Sequence, residues 1–206
     1  MSAKTAWGAV SGGRLAAPSV RFCAALALFG IFLAAGVQDA TAASAGEKRR
    51  VEIGLKIFRA TLAADLNLVQ KLDQQQGLAI VLFYANDRAS AERYRERLAE
   101  PGGLLEHRLH ISLSDDPALR AFSASPPAAM FITEPRLPLA TLQSLKTFSA
   151  RHSRVLFSPF EADVERGVAT GLFVGARVQP FVNSRALRAS SISLQDFFLD
   201  IAKKTD

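Results

Sequence analysis

The run Leu78 to Tyr84, LAIVLFY, is apolar at every position, and no other feature restricts the fold of this chain as strongly. A strand with one wet face alternates apolar and polar residues. A strand with no polar face is covered by helices on both sides, which is the condition inside a parallel sheet. The residues after it agree. Asn86 and Asp87 are cap residues for a helix running to about Ala99, with Ala91, Tyr94 and Leu98 turned inward and Glu92, Arg93, Arg95, Glu96 and Arg97 facing water. Pro101-Gly102-Gly103 ends it. Leu105 to Leu113 alternates as a half-exposed strand, His107 being the polar exception on its apolar side, and Asp115-Asp116-Pro117 opens a short helical turn. A strand at Ala128 to Thr133, a helix at Leu139 to Ala150 carrying Leu142, Leu145 and Phe148 inward, and a strand at Arg154 to Ser158 complete the pattern. Repeated strand–helix alternation predicts a three-layer α/β/α fold with a mostly parallel sheet.

Upstream, Glu47 to Asp65 satisfies two periodicities. Val51, Ile53, Leu55 and Ile57 alternate, and Val51, Leu55, Phe58 and Leu62 trace a helical stripe. The segment is longer than an ordinary strand and has no turn cluster, so helix is expected, with Gly54 as its weak point.

The chain has 206 residues, enough for one domain and a short accessory segment. Apolar residues make up 49% and charged residues 21%, as in a globular protein with a real core. Part of the formal net charge of +6 lies at the start, where Lys4, Arg14 and Arg21 precede an apolar run from Phe22 to Val37. Ala40-Thr41-Ala42 and Ala43-Ser44-Ala45 follow, each a small-x-small site. This is the layout of a secretory signal, and the run is shorter than the roughly 20 residues a spanning helix needs. The expectation is a cleaved signal peptide at 1–45, a single domain at 46–206 and a periplasmic destination. The only cysteine, Cys23, would leave with the signal, so the domain would have no disulfide. Export also argues against nucleic acid as a partner.

The end of the chain departs from the alternation. Val168 to Val174 and Val178 to Val182 flank a Gly175-Ala176 turn and should pair as an antiparallel hairpin at the edge of the sheet, where Pro180 with its missing N–H belongs. Asn183 leads a short helical turn. Ser193 and Asp196 fit a capping box for a final helix, with Ile192 and Phe197 as its hydrophobic staple. Leu194, Phe197, Phe198 and Ile201 make that helix's apolar face, with Phe198 expected in the core.

In this last block the order of Gly167, the strand Val168 to Val174, PFVN (Pro180 to Asn183), SRALRAS and SLQDFFLDIAK resembles the YfiR-like family of exported bacterial proteins. KIFRATLAADLNLVQKL and LAIVLFY are similar, more loosely, to the family's opening helix and first strand. Two features depart from it: some members carry disulfides, and the strand before the Asn usually lacks proline. The resemblance implies a periplasmic regulator that binds the periplasmic sensor region of a membrane diguanylate cyclase and tunes cyclic-di-GMP signalling and biofilm formation. It assigns no contact residues.

Catalytic patterns are not evident. His107 and His110 fall on opposite faces of the predicted strand, so they cannot share a metal, and no cysteine or dense carboxylate group stands near. Glu161, Asp163 and Glu165 read as a solvated acidic loop. Gly167 and Gly171 lie in a strand pattern without the lysine and helix start of a phosphate loop, and close packing or a bulge accounts for them better. There is no Gly-x-Ser-x-Gly elbow. The reading is a protein that is not an enzyme and takes no cofactor or metal. Its partner would be a membrane signalling protein, and a homodimer is compatible with it. Arg166, Arg177 and Arg185, together with Arg188, are the basic residues available to an acidic partner. The alternative is a single-lobe periplasmic solute-binding protein with its ligand at the strand ends, against which stands a length too short for two clamping lobes.

Overall fold

A computed structural model describes residues 45–206. The proposed signal segment, apart from Ala45, lies outside the described residues. The first element is a helix, α1, spanning 45–63. Its stripe Val51, Leu55, Phe58 and Leu62 is buried, so the helical periodicity prevails over the alternating one. Gly54 is a point of close approach, not a weakness: a Cβ placed there would lie 2.7 Å from the Pro159 side chain.

Then follow β1 (Leu78–Phe83), α2 (Arg88–Ala99), β2 (Leu109–Ser114), β3 (Ala129–Ile132), α3 (Leu139–His152), β4 (Val155–Ser158) and α4 (Glu161–Glu165). The chain closes with β5 (Thr170–Val174), β6 (Val178–Asn183), α5 (Ser184–Ala189), α6 (Asp196–Ile201) and β7 (Lys203–Thr205). The seven strands form one sheet in the order β2-β1-β3-β4-β5-β6-β7. All neighbouring pairs are parallel except the β5–β6 hairpin. The fold is the expected three-layer α/β/α arrangement. Because β1→β2 and β3→β4 run in opposite directions along the sheet, right-handed crossovers send α2 and α3 to opposite faces.

The core sits between α1 and the central strands. Phe58 meets Phe131 of β3 and Phe157 of β4 edge-on at 5.3 and 5.6 Å, and the latter two stack at 5.5 Å. Such aromatic arrangements add roughly 0.5–1.5 kcal/mol per pair beyond burial. On the opposite face α4 approaches so closely that a Cβ on Gly171 would meet Val164 at 2.5 Å and the Ser158 carbonyl at 2.3 Å. Gly171 therefore serves packing, whereas Gly167 lies in the turn before β5 with φ 95°, a conformation that favours glycine. No helix among the described residues is long and apolar enough to cross a membrane.

Several local expectations need correction. The strand predicted from Leu105 starts at Leu109, because Leu105 and Glu106 take left-handed backbone angles (φ 47° and 71°) in a turn closed by Leu104 and His107. The acidic segment at Glu161 is a helix, not a solvated loop, and Asp163 is 1% exposed. The capping box does not form. The N-cap of α6 is Gln195, without a side-chain cap. Ser193 lies in an extended stretch whose backbone is bound to the exit of α1: Leu66 N–H donates to the Ser193 carbonyl and Gln195 N–H to the Ala64 carbonyl. The staple fails with it, since Ile192 is buried and Phe197 is 62% exposed. The chain does not end in a helix either. β7 pairs parallel with Phe181 to Asn183 and lies outside the hairpin.

Pro180 nevertheless occupies an edge-like position. Asn183 N–H donates to Ala169 on the β5 side. Backbone groups alternate along a strand, so residue 180 faces away from β5, just before the β7 pairing begins. Its missing donor therefore costs the hairpin nothing.

Candidate functional site

In an open sheet of this kind the usual ligand crevice lies at the carboxyl ends of the strands, where the strand order reverses. Here that point falls between β1 and β3. The loop after β1 presents three backbone N–H groups, and the chain fills them itself. The Glu134 carboxylate, just past β3, accepts from Ala85, Asn86 and Asp87 at 2.9, 2.9 and 2.8 Å. Asp87 in turn caps α2 by accepting the Ser90 N–H at 2.8 Å. A place suited to an incoming anion is thus occupied by an internal one.

The histidines are held separately. His110 on β2 bonds Asp73, and His107, in the preceding turn, bonds the Gln76 carbonyl. Both partners belong to the turn before β1. The Gly77 N–H and His110 hold the Asp73 carboxyl below its ordinary pKa. Among the described residues no group of three or more His, Cys, Asp or Glu is placed to hold a metal ion. Asp163 accepts the Ser158 hydroxyl at 2.7 Å with Arg166 3.5 Å away, and burial raises its pKa. The Ser158–Asp163 bond fixes α4 against β4, and both of its side chains are buried.

The arginine candidates divide. Arg166 and Arg185 line one open cleft of about 810 Å³ between α3 and α5, together with Lys146 and Arg151, which sequence reasoning missed. Their only signal was the outward face of α3, which looks like any solvated helix face until α5 is packed beside it. Arg166 also donates to the Leu137 carbonyl at 3.3 Å, so part of its role is structural. Arg177 stands apart on the hairpin turn, its Nε 2.7 Å from the Gln179 side chain. Arg188 is exposed on α5 and does not line the cleft.

The second surface is apolar. Phe197 and Ile201, read as part of the apolar face of the last helix, are 62% and 57% exposed. With six residues in α6, a single stripe is buried, and Phe198 at 2% exposure occupies it. Phe197 and Ile201 instead wall a groove of about 500 Å³, facing Ile57 and Ala60 of α1 and Val178 and Pro180 of β6.

No family model matches the chain, and no curated protein sequence does. Among solved structures it is similar to the ABC domain in complex with L-Trp from Streptococcus pneumonia, at 10% identity and a TM-score of 0.45 over 70% of this chain. It is also similar to a conserved domain protein from Vibrio cholerae O1 biovar El Tor, at 13% identity and a TM-score of 0.48 over 68%. The chain spans 61% and 58% of the lengths of those two proteins.

Proposed function

We propose that this is an exported, non-catalytic regulatory protein that works by direct contact with the periplasmic sensor region of a membrane signalling protein of the diguanylate cyclase type. The observation that carries the reading is the outward display of Phe197 and Ile201, with Val178 at 45% exposure beside them. Large apolar side chains gathered at one groove favour a protein contact. They belong to the C-terminal block that resembles the YfiR-like regulators. The Glu134 carboxylate at the strand-order reversal supports contact over small-ligand capture, because a solute would have to displace it.

Deleting the gene should raise cyclic-di-GMP and surface attachment, and restoring the wild-type gene should reverse both. Restoring a Phe197→Ser, Ile201→Ser version should yield normal protein levels without that reversal. No change in either readout on deletion, under conditions where the gene is expressed, would overturn the proposal. A solute-binding protein would instead show a rise in melting temperature with a small molecule from a ligand screen.

A further inference from the structure

Four cations face the open cleft between α3 and α5. Lys146 and Arg151 stand on the outward face of α3, five positions apart, or about 7.5 Å along its axis. Arg166 enters from the link after α4 and Arg185 from the first turn of α5. Glu165 and Asp206 also line the cleft, so its walls carry a positive excess. The Lys146 ammonium gives one donor to the Arg166 carbonyl at 2.7 Å, which leaves two of its three N–H groups for other acceptors. Arg151 and Arg185 make no ion pair among the described residues. Burial and the neighbouring Arg166 charge hold the Lys146 pKa below its ordinary value, so an arriving carboxylate would relieve an existing electrostatic cost.

We propose that this cleft docks an acidic segment of a protein partner, whose Asp and Glu side chains pair with Lys146, Arg151 and Arg185. Small-ligand sites enclose most of their ligand, roughly 70–90% of its surface, and converge polar groups on it. This cleft is broad and open, and its cations are spread over α3, the link after α4 and the start of α5, as a segment with several charges requires. Ala150, Ala186 and Ala189 also line it, and their small side chains leave room for a peptide backbone. The cleft shares no lining residue with the apolar groove, so the two contacts are separable. The inference rests on the contact reading of function and adds the charge of the partner to it.

The test is titration of the full chain into a fluorescein-labelled oligoglutamate peptide, at low salt and again near 150 mM, followed by anisotropy. Binding should weaken steeply with salt, since exposed charges are screened over about 8 Å at that ionic strength. Arg151→Glu with Arg185→Glu should weaken it at least about tenfold. Arg108→Glu with Arg120→Glu makes the same change of charge outside the cleft and should leave binding within about twofold. Equal losses in the two double variants would overturn the proposal, as would absence of binding by the wild type. Displacement of the peptide by inorganic phosphate at equal concentration of charge would also overturn it, because the cleft would then be a small-anion site. The peptide is not a signalling protein. Failure here therefore removes the cleft and leaves the regulatory reading to the gene-deletion experiment.

Discussion

The Lys71 ammonium lies 2.5 Å from the Asp65 carboxylate, and the two side chains are only 4% and 0% exposed. A third charge stands nearby. Burial lowers the Arg154 pKa and the Asp65 charge raises it, while Arg154 Nε is buried without a hydrogen-bond partner among the described residues. Breaking a buried pair typically costs about 3–5 kcal/mol, because the remaining charge is stranded. Asp65→Asn strands two cations, whereas Lys71→Met leaves Asp65 near Arg154. Urea denaturation should therefore show Asp65→Asn as the more damaging change, and the reverse order would disprove this account.

Asp163 gives a pH dependence of known sign. Burial holds its carboxyl above the ordinary value of 3.8, against the Ser158 hydroxyl and the Arg166 charge. A carboxyl raised in the folded state binds its proton more tightly there than in the unfolded chain. Its favourable contribution is present below the unfolded pKa and is lost as pH rises through the folded one. Asp163→Asn removes this titration and keeps an acceptor for Ser158. The stability of the variant relative to wild type should increase between about pH 3 and pH 7. A flat difference in urea midpoints would show that Asp163 does not titrate this way.

Glu134→Ala uncovers the three N–H groups at Ala85 to Asp87. Hydrogen bonds to a charged acceptor contribute about 1.5–3 kcal/mol when protected, and less here because water reaches the loop, so a loss of about 1–2 kcal/mol is expected. Acetate should recover part of the melting temperature when compared with equal chloride. Recovery of the same size in the wild type would show that acetate acts elsewhere.

Two neighbouring phenylalanines should behave oppositely. Phe198→Ala should cost about 3–5 kcal/mol through loss of burial and the cavity left behind. Phe197→Ala should cost less than about 0.5 kcal/mol, as exposed sites usually do. Similar losses at both positions, measured by chemical denaturation, would mean that Phe197 packs inside.

The true cap of this region is Asn183. Its carbonyl accepts the Ala186 N–H at 2.8 Å, and its amide donates to the Val164 carbonyl at 3.0 Å. Asn183→Ala should cost about 1–2 kcal/mol, since it loses the cap and one of the two bonds to the Val164 carbonyl, which keeps the Gly167 N–H at 3.0 Å. Ser193→Ala, a loss of about 1 kcal/mol had the capping box formed, should be close to neutral. Thermal melts of the two variants distinguish these cases.

The sheet was legible wherever burial covers both faces. Leu78 to Phe83, Ala129 to Ile132 and Val155 to Ser158 leave no polar face to mislead, and the structure places all three in the centre. β7 was not legible: Lys-Lys-Thr has no apolar pattern and becomes a strand only by pairing with β6, where Lys203 covers the Phe173 ring at 3.6 Å. The capping box misled because a local signature says nothing of the exit of α1, which claims the Ser193 backbone. Asp163 misled for a similar reason, since its Ser158 partner is brought to it by the turn between β4 and α4. Of the candidate cations, Arg166 and Arg185 come together only because α3, α4 and α5 converge. That convergence also supplies Lys146 and Arg151 and leaves Arg177 outside.

The stitching of α1 to the stretch before α6 has a kinetic consequence. Asp65 bridges Leu194, so the first helix and the closing block are neighbours in space although nearly the whole described chain separates them. Contacts of such long range are formed late, because the intervening loop must be closed before they return any stability. Until the last residues arrive, α1 lacks a wall for its exit and its buried Asp65 lacks that bridge. This protein should therefore fold slowly and as a unit, and a chain interrupted before Leu194 should remain a substrate for proteases and chaperones.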